Sequence, residues 1–187
     1  MKKLLLLFIL CPFFFFGQTL IGNEFTGIAG DMLGGSISLN SEGNIVAIGT
    51  YSSNYYIDVH ENLNGTWNLF SSVPLFGGTS YDFRGNPKGN SISLNSDGTI
   101  IGVGINSHRN GYNSGHAIVA KYIDGNWVRI GGIISGVSLD ENYFGTWVNL
   151  SSDGNTIAIS GHSYFNSPNS GYVRVFKNIN NVWIQIG

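Results

Sequence analysis

Residues 36–49 read SISLNSEGNIVAIG, residues 91–104 read SISLNSDGTIIGVG, and residues 147–161 read WVNLSSDGNTIAISG. A chain that writes one pattern three times builds one local unit three times, and the spacing of the copies gives the size of that unit. The turn glycines Gly43, Gly98 and Gly154 are 55 and 56 residues apart, and Trp67, Trp127 and Trp183 are 60 and 56 apart.

Each unit carries four apolar runs in one order. The first is SISLN, SISLN or WVNLS, and the second is IVAIG, IIGVG or IAISG. The third is YIDVHENL, HAIVAKYI or YVRVFKNI, and the fourth is TWNLF, NWVRIG or VWIQIG. The runs are short, rich in Ile, Val, Tyr and Trp, and bounded by Gly, Asn, Asp and Ser, which is the composition of strands between turns. The first and second runs are joined by Ser-Glu-Gly-Asn, Ser-Asp-Gly-Thr and Ser-Asp-Gly-Asn, and the third and fourth by turns of the same kind, all suited to tight hairpins. The second run is continuously apolar, as expected of a strand buried on both faces. No helical period appears outside the first 17 residues.

These features predict an all-β chain made of β-propeller blades, each a four-stranded antiparallel meander, in three repeats of about 55 residues. The units span about 18–75, 76–131 and 132–187. A solenoid coil is usually shorter than this unit, and a sandwich needs no repeated sequence. Residues 18–187 hold three whole units, because LIGNEFTG (20–27) matches RIGGIISG (129–136) and the final QIG matches the same opening. Propellers close with ~4 to 8 blades. Three blades alone would leave open sheet edges, so we expect either a piece of a longer propeller or closure by self-association.

The first residues, MKKLLLLFILCPFFFFGQTL, carry two lysines, an apolar run from Leu4 to Phe16 and the small residue Gly17. This is the pattern of a secretory signal peptide cut before Gln18, and the run is short of the ~20 residues that span a bilayer. Leu10 before the lone Cys11 does not fit a lipoprotein signal. The mature chain then has no cysteine, which rules out a disulfide scaffold and a cysteine nucleophile. Without Lys2 and Lys3, 7 basic side chains face 11 acidic ones, and no run of Lys or Arg remains. Nucleic acid and anionic membranes, which need a basic patch, are therefore not expected partners.

The pattern resembles a known family. Tyr143-Phe144-Gly145, followed by NLSSDGNTIAISG and closing with GYVRVFKNINNVWIQIG, is similar to the FG-GAP-type repeats of integrin-α-like propellers, especially to arrays in secreted proteins of Bacteroidetes-type bacteria. The resemblance covers nearly all of residues 21–187 and implies a propeller that binds protein or glycan at the cell surface. Two departures stand out: the GAP element reads GTY, GIN and SGH, and Phe-Gly reads Leu33-Gly34 in the first copy.

The resemblance also implies calcium in the hairpin between the first two strands, held by several carboxylates. Calcium takes six to eight oxygens. Each turn here offers one carboxylate, Glu42, Asp97 or Asp153, so calcium is disfavoured and no other cofactor is expected. His60, His108, His116 and His162 form no metal-ligand spacing, G-x-S-x-G is absent, and Asp140 and Glu141 are adjacent in a loop where they diverge. No catalytic residue is assigned. Trp67, Trp127 and Trp183 recur at one strand position, as packing residues do. Trp147, read as replacing Ile37 and Ile92, is expected in the core as well.

A meander puts alternate connections at opposite ends of its sheet. The long connections, residues 50–55, 71–90, 106–115, 132–144 and 162–171, should therefore share one end. Variable loops on a rigid scaffold are where binding usually lives. The candidate binding residues are Tyr55, Tyr81, Arg84, His108, Arg109, Tyr112, Tyr164 and Phe165, of types suited to protein or glycan recognition. The expected function is a secreted or cell-surface binding and adhesion module without catalysis. The alternatives are a structural scaffold within a larger exported protein and the propeller portion of a glycan-directed enzyme.

Overall fold

The apolar runs become strands and the Gly/Asn/Asp stretches between them become hairpin turns. The structure, a computed structural model, describes residues 19–31, 33–50, 57–73, 91–106, 115–136, 143–162 and 171–187. Blade 1 contains β1 (Ser36–Leu39), β2 (Ile45–Gly49), β3 (Ile57–Leu63) and β4 (Thr66–Val73). Blade 2 contains β5 (Ser91–Leu94), β6 (Ile100–Ile105), β7 (His116–Ile123), β8 (Asn126–Arg129) and the short β9 (Ile134–Ser135). Blade 3 contains β10 (Trp147–Leu150), β11 (Thr156–His162), β12 (Gly171–Ile179) and β13 (Val182–Ile186). Each blade is an antiparallel sheet with its strands in chain order, and β9 adds to β7 beyond the end of β8. Among the described residues there is no helix.

Local chemistry sets both kinds of turn. In the first hairpin of blade 1, the Asn40 carbonyl oxygen Oδ1 accepts the N–H groups of Asn44 and Ile45 at 3.0 and 2.9 Å. Asn95 does the same for Ile100 at 2.8 Å, and in blade 3 the Ser151 hydroxyl accepts the Thr156 N–H at 3.0 Å. These are side-chain substitutes for a backbone turn. The second hairpins place both central residues in the left-handed region: Asn64-Gly65, Asp124-Gly125 and Asn180-Asn181. That geometry matches the twist of paired strands and favours Asn, Asp and Gly.

The sheets stack face to face, and the stacking explains why SISLN is written twice. In β5, Ile92 and Leu94 face blade 1 and pack, with Ile101, Val103, Ile105, Ile118 and Ala120, on Ala47, Ile57, Val59 and Val73. The alternate residues reach the other way. The Ser93 hydroxyl accepts the Leu150 N–H of blade 3 at 2.9 Å, just as Ser38 accepts the Leu94 N–H at 2.9 Å. The turns are linked too, with Ser41 N–H donating to Ser96 O and Ser96 N–H to Ser152 O, both at 3.0 Å. Blade 2 meets blade 3 through Ile100, Ala117, Val119 and Ile134 packed on Phe144, Val148, Leu150, Ile157, Ile159 and Phe176. Lying between two sheets, β6 is buried along its whole length. Each such Ile or Val contributes about 1.5–3 kcal/mol through burial.

The strand register corrects one expectation. Trp147 stands opposite Ser160 as Ser36 stands opposite Gly49 and Ser91 opposite Gly104. It therefore replaces Ser36 and Ser91, not Ile37 and Ile92, whose place is taken by the buried Val148. Because side chains alternate across a strand, this offset of one residue moves the indole to the opposite face, where it is 71% exposed. Trp127 and Trp183 do pack between blades, and Trp67 packs against the N-terminal segment. Trp127 is buried, and the half-buried Trp67 and Trp183 donate their indole N–H to Ile21 O and Ile130 O at 3.1 and 3.0 Å.

Candidate functional site at the long-connection end of the blades

Both hairpin turns of each blade fall at one end of its sheet, since the first and third strands run the same way. The strand ends that flank the long connections fall at the other end: Thr50 and Ile57, Val73 and Ser91, Asn106 and Gly115, Gly136 and Tyr143, His162 and Gly171. Two connections are shorter than the sequence indicated, because β4 runs on to Val73 and β9 occupies Ile134–Ser135. Tyr55, Tyr81, Arg84, His108, Arg109, Tyr112, Tyr164 and Phe165 all lie outside the described residues.

The described rim of that end shows what holds it. Phe144 is fully buried between blades 2 and 3, with its ring parallel to that of Tyr172 at 6.3 Å. Gly145 follows in a left-handed conformation, and a β-carbon there would collide with the His116 carbonyl oxygen. The pair thus works as a plug and a close backbone crossing, with Thr146 N–H and Oγ1 both donating to Tyr143 O to close the turn. Arg174 lies over the Tyr172 ring at 5.4 Å, a cation–π contact near the base of the 163–170 connection. Sequence reasoning passed over Tyr172 and Arg174 because both sit inside an apolar strand run. The alternation Y-V-R-V-F was the available signal, since it puts Tyr172, Arg174 and Phe176 on one face.

At the opposite end, three acidic turns stand in a row. The Asp153 carboxylate accepts the Ser151 hydroxyl at 2.6 Å and the Asn155 N–H at 3.0 Å. These bonds, the Ser151 hydroxyl foremost, hold its pKa down to about 2. Asp97 is lowered as well, chiefly by the Thr99 hydroxyl at 2.6 Å. Both carboxylates thus act as acceptors for their own turns. Among the described residues no three His, Cys, Asp or Glu side chains gather as a metal site.

The described N-terminal segment, 19–31, closes the outer part of blade 1. Gly22 lies beneath the Trp67 indole, and the Asn23 side chain accepts the Trp67 N–H at 2.9 Å. Phe25 stands edge-on to His60 at 4.8 Å and tilted to Trp67 at 5.6 Å. Burial lowers the His60 pKa, and Asp58 partly opposes it.

No family model matches this sequence, and no curated protein does. Solved structures share the propeller-like fold. Hydrazine synthase from Kuenenia stuttgartiensis aligns with 77% of this chain at 13% identity and a TM-score of 0.52. Sqt1 from Saccharomyces cerevisiae aligns with 83% at 13% identity and a TM-score of 0.50. The chain spans 39% and 35% of those two structures. Likeness at this identity concerns fold alone.

Proposed function

We propose that this chain is a binding module of an exported, FG-GAP-type propeller protein, capturing a protein or glycan with the long-connection end of its blades and catalysing no reaction. The supporting observation is topological. Five connections leave the stacked sheets at one end, and they carry the eight Tyr, Arg, His and Phe residues named above, while the opposite end consists of tight turns closed by their own side chains. The sheets are a rigid base, and residues on such loops can vary without disturbing the core. Export rests on the lysine-led apolar run of residues 2–17.

The test is ligand capture on a glycan and cell-surface protein array. Tyr112→Ala and Tyr164→Ala should each weaken capture about tenfold or more, the usual cost of truncating an aromatic anchor. Equal capture by the wild-type chain and both variants would remove the long-connection end as the binding surface.

A further inference from the structure

The second hairpin of each blade is the same two-residue turn, but its chemistry differs from blade to blade. The central pairs are Asn64-Gly65, Asp124-Gly125 and Asn180-Asn181, all in the left-handed region. An asparagine side chain followed by glycine is open to attack by the next backbone nitrogen, because glycine has no β-carbon to block the approach. Asn64 is exposed, and no atom lies within 4 Å of a β-carbon built on Gly65. Among the described residues no other asparagine precedes a glycine, and Asn110-Gly111 lies outside them. In blade 3, Asn181 stands where Gly65 does, and its Oδ1 accepts the Gly131 N–H at 2.7 Å.

The turn of blade 1 also carries its own restraint. The attacking atom is the Gly65 nitrogen, and its N–H donates to Asn62 Oδ1 at 2.9 Å. The pairs Leu63–Thr66 and Asn62–Trp67 close the ladder directly behind it. Ring closure therefore waits until the hairpin opens and Asn62 lets go. Blade 2 shows which product the turn tolerates. Asp124-Gly125 has φ values of 49° and 84°, against 54° and 84° for Asn64-Gly65. An aspartate at position 64 fits the same turn. An isoaspartate does not, since the backbone then runs through the side chain and gains one methylene, and the length of the turn sets the register of its strands.

We propose that Asn64 is a self-modification site, converted without an enzyme to aspartate and isoaspartate, and that the isoaspartate form releases the N-terminal segment. The Gly65 nitrogen gives its proton to solvent and bonds to Asn64 Cγ. The Cγ–Nδ2 bond breaks, and the leaving nitrogen takes up a proton and departs as ammonia. Water then opens the cyclic imide at either carbonyl. Cleavage between Cγ and the Gly65 nitrogen gives aspartate, and cleavage between the Asn64 backbone carbonyl carbon and that nitrogen gives isoaspartate. The consequence reaches beyond the turn because Trp67 follows two residues after Gly65. Its backbone N–H donates to Asn23 Oδ1 at 2.9 Å, its indole N–H donates to Ile21 O at 3.1 Å, and the indole covers Gly22. An added methylene displaces Thr66 and Trp67 along β3 and breaks these contacts.

The purified chain is kept in warm, mildly alkaline buffer and sampled over weeks by peptide mapping with isoaspartate detection. Conversion is expected at Asn64 ahead of every other described asparagine. Asn62→Ala should convert about twofold to tenfold faster, the factor that corresponds to one lost hydrogen bond. Asn64→Asp should leave residues 19–31 as resistant to limited proteolysis as they are in the fresh wild-type chain. The isolated isoaspartate form should be cut there several-fold faster. An Asn64 that stays intact, or converts after the other described asparagines, overturns the proposal. So does an Asn62→Ala chain that converts no faster than wild type, or an isoaspartate form cut no faster than Asn64→Asp.

Discussion

Asn95 shows how much can rest on a single turn residue. Its side chain is buried, and its Oδ1 accepts the Ile100 N–H at the start of a strand enclosed on both faces. Asn95→Ala should destabilise the chain by about 1–3 kcal/mol in urea unfolding, because the Ile100 N–H loses its acceptor where water cannot replace it. Asn95→Ser should recover part of that loss, since Ser151 performs the same task in blade 3 with a hydroxyl at 3.0 Å from the Thr156 N–H. An Ala variant as stable as wild type would show that water or another acceptor reaches this corner. Trp147 carries the opposite lesson. Its identity was plain in the sequence, but a repeat aligned one residue out of register assigns it to the wrong face.

Docking of the N-terminal segment should depend on pH. His60 lies beside Phe25, and burial favours its neutral form. With the folded pKa below the ordinary 6.5, the undocked chain takes up a proton more readily than the docked one. The contribution of His60 to docking is therefore complete above pH 6.5 and is lost as pH falls below that value. NMR titration should place the His60 midpoint below 6.5, and Phe25→Ala should move it back towards 6.5 by admitting water. Limited proteolysis of residues 19–31 should quicken between pH 7 and pH 5. An unchanged midpoint in Phe25→Ala would assign the desolvation to other neighbours. Nothing in the composition of LIGNEFTG identified it as a docked strap; its match to RIGGIISG was visible, but the Trp67 pocket that gives the match a meaning comes from packing.

For the molecule as a whole, stacking predicts that the middle blade opens last. Among the described residues, blade 2 has sheets against both faces, whereas blades 1 and 3 each have one. Hydrogen exchange should be slowest in Ile101–Ile105 of β6, by about 100-fold or more relative to β1 and β13, because opening β6 requires breaking both stacks. Comparable protection across β1 would mean that its Ile37–Leu39 face, exposed in this structure, is covered in solution.

Much of this architecture was legible before any coordinates, because period-2 patterns and Gly/Asn/Asp turns are local and act within a few residues. The strand order, the two families of hairpin, the recurring tryptophans and the end at which the long connections lie all followed from SISLN-type runs and their spacing. What packing added concerns faces. Sequence could not say that Ser93 and Ser38 reach into the next blade, that Phe144-Gly145 is a plug followed by a backbone crossing, or that Tyr172 and Arg174 meet near the rim. Those facts depend on which sheet lies against which, and such long-range contacts leave no mark on the local pattern that makes a strand.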